Sequence, residues 1–146
     1  MIARPPRVRP PAVAGLFYPD DPDDLRRLRQ ACFDAAAPAA HRVHAPGDPA
    51  GADLGEDAAG PRALVVPHAG LVYPGPIAAS AYRRLAPHAH EIRRVVLLGP
   101  SHRVAFRGVA ATSADRWDTP LGPVAIDTAL VARVVAAGLA VVADEA

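Results

Sequence analysis

Apolar positions along the chain change their period several times, and each change marks an element. In FYPDDPDDLRRLRQACF, Leu25, Leu28 and Cys32 recur at helical spacing. Asp21 is placed to cap this helix, Pro22 suits its first position, and Asp23 and Asp24 put negative charge where the helix dipole favours it. The pattern predicts a helix over 22–36. Residues 37–61 are crowded with Pro, Gly, Ala and Asp, show neither period, and are expected to form a disordered insertion.

Order is expected to resume at Arg62. ALVVP (63–67) predicts a buried strand, and Pro76 opens a helix to about 86 with Ile77, Ala78, Ala81 and Leu85 inward. RRVVLLG (93–99) predicts the next buried strand. Strand, helix and strand at this distance form a βαβ unit with parallel strands and a right-handed crossover. GVAATS (108–113) and PVAID (123–127) read as two strands joined through 115–122 by a hairpin or wide loop. Asp127 then caps a helix that Gly138 closes, and LAVVA (139–143) is a last buried strand. The fold class is α/β.

Composition narrows the function. Net charge is +1 with few aromatics, so no basic face suits nucleic acid. The start of the chain has no apolar signal core, and residues 129–143 carry Arg133 and fall short of the ~20 apolar residues of a membrane span. A cytoplasmic protein with no nucleic-acid or membrane partner is expected. The single cysteine, Cys32, cannot staple the fold and reads as a small core residue.

The candidate chemistry lies at two strand ends. In VVPHAGLVYPG and VVLLGPSH an apolar run stops at Pro or Gly and then presents His68 or His102. Ligands of parallel α/β sheets bind beyond the carboxyl ends of the strands, so the two imidazoles could face one point in a crevice. The free amides of the helix that begins near Pro74 and Pro76 are expected to point there too. Two readings stand here: a shared metal ion, or loop histidines that only bond their neighbours. Two histidines do not complete a site, since iron usually takes a carboxylate as well and zinc a third protein ligand.

Four phrases in order carry a resemblance: RPPAVAGLFYP (9–19), VVPHAGLVYPGPIAASAY (65–82), VVLLGPSH (95–102) and WDTPLGPVAID (117–127). They resemble the Memo-like family, known in bacteria and archaea as AmmeMemoRadiSam system protein B. That family is similar in fold to class III extradiol dioxygenases, which use nonhaem Fe(II). The resemblance implies a three-layer α/β sandwich with a mainly parallel sheet flanked by helices. It makes residues 1–146 the N-terminal part of a single domain, truncated at about half of the family's length. It implies His68 and His102 as metal ligands, with Fe(II) the expected metal and Cu or Zn as alternatives. Tyr73, Ser101, Phe17, Tyr18 and Thr119 are implied as substrate-binding residues. Each has an ordinary reading beside that one: packing for Phe17 and Tyr18, a capped core for Tyr73, turn closure for Ser101.

Catalytic groups and remaining ligands are expected beyond residue 146. The whole protein would then be a metal-dependent, dioxygenase-like oxidoreductase of unknown substrate, and this fragment inactive. The expected partners are a small molecule or peptide in the crevice and a functional link to a radical SAM protein. The alternative is a noncatalytic module that binds a peptide or protein in the same crevice.

Overall fold

In the computed structural model, residues 4–36 and 60–143 are described, so the expected insertion lies outside them but for Gly60 and Pro61. The elements are β1 (Val8–Arg9), α1 (Pro22–Ala35), α2 (Gly75–Tyr82), a 3-10 turn (Arg83–His88), β2 (Ala110–Ala111), β3 (Arg116–Thr119), β4 (Gly122–Ala125), α3 (Thr128–Ala136) and β5 (Val141–Val142). This is a mixed α/β arrangement. Among the described residues no helix is long and apolar enough to cross a membrane.

α1 forms as its sequence dictates. The Asp21 carboxylate accepts from the amides of Asp23 and Asp24 at 2.9 Å each, satisfying two donors that no helical carbonyl can reach. Leu25 and Cys32 are buried, and Leu28 packs beside the cluster of Cys32, Ala36 and Ala79. The opposite face carries Arg26–Asp23 and Arg27–Asp24 pairs one turn apart.

α2 lies against α1, but on a different face from the one its pattern suggested. Gly75, Ala78 and Ala79 are buried, whereas Ile77 is 66% exposed. The reason is close approach: a Cβ on Gly75 would stand 2.4 Å from Cys32 Sγ. Only the small-residue face admits the Cys32 side chain. The guanidinium of Arg83 donates to the Phe33 carbonyl and ties the end of α2 to α1.

The strands pair as β1–β3–β4, with β1 parallel to β3 and β3 antiparallel to β4, and separately as β2–β5 in parallel. The hairpin therefore spans 116–125: β3 lies in the segment read as a connection (115–122), whereas β4 falls largely in the strand expected at 123–127. Thr119 and Gly122 face each other across its two-residue turn, and Gly122 takes φ +118°, where a side chain would be strained. β1 is fastened by Asp115, whose carboxylate accepts from the Arg7 amide at 2.6 Å and whose own amide donates to the Arg7 carbonyl at 2.8 Å. Asp127 caps α3 by accepting from the Leu130 amide at 2.9 Å, and Gly138 follows the helix at φ +71°.

Of the three predicted buried strands, 139–143 keeps only the two residues of β5, with Leu139, Val141 and Val142 exposed, and 63–67 and 93–99 are neither strands nor buried. Neither pairs with another segment among the described residues, and Val65, Val95, Val96, Leu97 and Leu98 are largely exposed. Apolar β-branched composition specifies a segment suited to a sheet interior, but a strand exists only where a neighbour supplies the ladder. The βαβ unit keeps its helix and lacks its ladders.

Candidate functional site

His68 and His102 meet despite the absence of those ladders. Their Nε2 atoms are 3.4 Å apart, with ring centroids at 5.5 Å and planes inclined by 30°. The rings thus converge at their Nε2 tips. Both side chains are exposed.

Separate turns hold each ring. His68 opens a loop in which the Tyr73 amide donates to the Gly70 carbonyl at 3.3 Å and the Gly75 amide to the Leu71 carbonyl at 3.0 Å. The Leu71 amide donates to the Phe17 carbonyl at 3.2 Å, and the Cys32 thiol lies 3.8 Å from the Leu71 carbonyl. The loop is therefore docked on both α1 and the turn before it. On the other side the Ser101 hydroxyl donates to the Val104 carbonyl at 2.8 Å and accepts from the Val104 amide at 3.4 Å, closing a turn around His102.

The amides of α2 are less available than its prolines suggested. Gly75 and Ala78 amides are spent on Leu71 and Pro74 carbonyls, and Pro76 has none. The helix start is a scaffold for the loop.

The other expected residues divide by place. Phe17 lies against the His68 loop: a Cβ on Gly70 would meet its carbonyl at 3.1 Å and its ring Cδ1 at 3.4 Å. Tyr18 is half-buried, and its carbonyl accepts from the Gly15 amide at 2.8 Å. Tyr73 is 88% exposed on the same loop as His68. Ser101 precedes His102 with its hydroxyl engaged in the turn. Thr119 belongs to the hairpin, where its hydroxyl donates to the Gly122 carbonyl at 2.7 Å and accepts from the Leu121 amide at 3.2 Å. Of the two further histidines among the described residues, His88 is half-buried against Gly60, and His90 is exposed 3.5 Å from Glu91.

Sequence reasoning overlooked Leu16 and Val72. Both are strongly exposed, Leu16 in the turn that carries Phe17 and Val72 in the His68 loop. Their signal was an apolar residue inside a Gly- and Pro-rich turn, where solvent exposure normally favours polar side chains.

The chemistry of the pair suits a metal. Two nitrogens at the usual ~2.0–2.1 Å from a common ion subtend roughly 110° when 3.4 Å apart, close to tetrahedral. Among the described residues no group of three or more His, Cys, Asp or Glu side chains assembles around one point. The pair offers two imidazole nitrogens and no third such side chain beside them among the described residues.

A MEMO1 family protein of Methanopyrus kandleri is 42% identical over 123 residues, covering 82% of this chain and 39% of the relative. One from Methanocaldococcus jannaschii is 39% identical over 124 residues, 83% of this chain and 39% of the relative. One from Metallosphaera sedula is 35% identical over 137 residues, 94% of this chain and 45% of the relative. The chain spans less than half the length of these relatives. The family model described as Memo-like protein matches residues 9–145, and the chain belongs to that family.

Proposed function

We propose that His68 and His102 form part of a metal site in a protein whose whole domain is a three-layer α/β sandwich, of which this chain makes up the N-terminal part. The observation that carries the reading is the convergence of the two Nε2 atoms at 3.4 Å from turns 34 residues apart. Two exposed imidazoles held together by separate turns need a reason, since each could be hydrated at no cost. A shared cation supplies one.

The resident metal in this reading is Fe(II), with Cu or Zn as alternatives, and the chemistry is that of a class III extradiol dioxygenase acting on an unknown substrate. Nonhaem iron there would supply Lewis acidity and open positions for a vicinal diol and dioxygen. The chain's own part is to offer two neutral imidazole nitrogens and to shape the approach. The phenol of Tyr73 is free of the core and can donate to a substrate oxygen, while Phe17 walls one side of the His68 loop. The remaining ligands and the groups that move protons would come from the rest of the domain. The protein would act in the cytoplasm, within an AmmeMemoRadiSam system that includes a radical SAM protein.

Iron analysis of wild type, His68→Ala and His102→Ala tests the metal site. Each substitution should lower bound metal at least tenfold, and equal content in all three would overturn the reading. Equal content would favour the second reading, a noncatalytic peptide- or protein-binding crevice. Its support is the exposure of Leu16, Phe17, Val72 and Tyr73 on the His68 loop and on the turn that loop docks against, apolar surface of the kind that marks interaction sites.

A further inference from the structure

His68 and His102 come together from backbones that are fastened unequally. On the His68 side the Leu71 peptide is fixed from several directions: its amide donates to the Phe17 carbonyl at 3.2 Å, its carbonyl accepts from the Gly75 amide at 3.0 Å, and the Cys32 thiol stands 3.8 Å from that carbonyl. On the His102 side, among the described residues, no main-chain hydrogen bond reaches residues 92–108. That segment is tied near its ends, by Arg94 to the Asp127 carboxylate at 2.7 Å and, just past it, by the Val109 carbonyl, which accepts from the Val141 amide at 2.9 Å. His102 lies between these ties, in exposed chain.

One side chain gives His102 its direction. The Ser101 hydroxyl donates to the Val104 carbonyl at 2.8 Å and accepts from the Val104 amide at 3.4 Å, with His102 and Arg103 enclosed between. A turn closed in this way restricts the dihedrals of the residues it encloses, as a ladder does within a strand. Without it the imidazole would hang from a backbone free to sample many conformations. A serine hydroxyl has a single proton, and here it is spent on Val104, so none is left to donate to a bound ligand. The part Ser101 plays in the site therefore runs through His102.

We infer that Ser101 is a positioning residue: by clamping Val104, its hydroxyl aims the His102 Nε2 at His68, and the pair holds together only while that clamp is closed. The consequence for metal binding rests on the metal reading above, whereas the convergence of the rings needs no metal. Loss of the clamp frees one partner only, since none of the bonds that fix the Leu71 peptide involves residues 101–104. A role in overall stability would instead loosen both loops together.

NMR of the metal-free 146-residue chain tests the inference. Wild type should show cross-relaxation between the ring protons of His68 and His102, whose centroids are 5.5 Å apart. In Ser101→Ala that cross-peak should vanish and the Val104 amide should exchange about tenfold faster, while the Leu71 amide exchanges as before. Ser101→Thr, which keeps a hydroxyl, should retain the cross-peak and the Val104 protection. A cross-peak that survives in the alanine variant, is missing from wild type, or is lost in the threonine variant as well overturns the positioning role. Equal acceleration at Leu71 and Val104 also overturns it, because it marks a general loss of structure and not a released turn. Zn(II) titration is read separately: Ser101→Ala should bind about tenfold more weakly than wild type, the scale of losing an outer partner of a metal ligand. Wild-type affinity in that variant overturns the positioning role, whereas a wild type that binds no Zn(II) counts against the metal reading and leaves the ring cross-peak to judge Ser101.

Discussion

A cysteine sulfur occupies the space that any side chain on Gly75 would need: the position of a Cβ there is 2.4 Å from Cys32 Sγ. This contact sets how near α2 approaches α1, and α2 follows directly on the loop that carries His68. Gly75→Ala should destabilise the protein by about 1–3 kcal/mol, the usual cost of overpacking. In a Cys32→Ala background the same substitution should cost much less. A double-mutant cycle by urea denaturation checks it, and additive effects would show that the contact does not set the packing.

The hairpin offers an independent test. Thr119 gives its hydroxyl to the Gly122 carbonyl and receives the Leu121 amide, so Thr119→Val removes both bonds while preserving shape. A loss of roughly 1 kcal/mol is expected, as for one or two partly exposed hydrogen bonds. Gly122→Ala should cost about as much or more, because it forces a side chain to φ +118°. The fluorescence of Trp117, next to this turn and beneath the Arg9 guanidinium at 5.2 Å, reports both.

How much of this was legible in the sequence depends on how local the cause is. The Asp21–Pro22 start and the Leu25–Cys32 face of α1 are written within one turn or two of chain, and they formed as read. The same holds for the Asp127 cap of α3. The inner face of α2 was misread because Ile77 has the largest apolar side chain, whereas the deciding partner, Cys32, lies more than forty residues earlier. β1 was overlooked since RVR between prolines has no period, and its place is fixed by Asp115, over a hundred residues away. The runs 63–67 and 93–99 announce the composition of strands, but pairing belongs to neighbours that composition does not contain. His68 and His102 were legible as residues that follow apolar runs, though not at strand ends, since those runs form no strands, and they converge through the turns at Gly70 and Ser101.

Asp127 carries two contacts that substitution can separate. Asp127→Asn keeps an acceptor for the Leu130 amide and weakens only the link to Arg94, while Asp127→Ala removes both. The alanine variant should melt lower than the asparagine variant, and the asparagine variant close to wild type, because an exposed ion pair contributes little. Equal losses in the two variants would mean that charge, not capping, dominates.

Acid should act through the same caps. The amide of Asp24 holds the Asp21 carboxyl below its ordinary range, with help from the Asp23 amide and from Arg27 and Arg26, and burial opposes the shift. The amide of Leu130 does the same for Asp127, with Arg94 and Arg133 assisting and burial again opposing. A carboxylate whose folded pKa is depressed contributes its stability fully above the unfolded value, near ~4, and loses it as pH falls through the folded one. Helical circular dichroism should therefore hold from neutral pH to about 5 and decline below ~4. In Asp21→Asn with Asp127→Asn the decline attributable to these caps should shrink, and an unchanged acid profile would assign it to other carboxylates.

The histidine pair makes a prediction that needs no substrate. A cation that binds the folded chain and not the unfolded one raises stability in proportion to the logarithm of its concentration over its dissociation constant, about 2.7 kcal/mol at a hundredfold excess. Added Fe(II) or Zn(II) should thus raise the melting temperature of wild type and leave His68→Ala and His102→Ala unmoved. Since the rings come from loops fastened to different parts of the chain, one to α1 and the turn at Phe17, the other to the turn at Ser101, bridging them also restrains those parts relative to each other. Amide exchange at Leu71 and Val104 should slow together on metal addition. A rise in melting temperature that persists in both alanine variants would place the cation elsewhere and remove the ground for treating the two histidines as ligands.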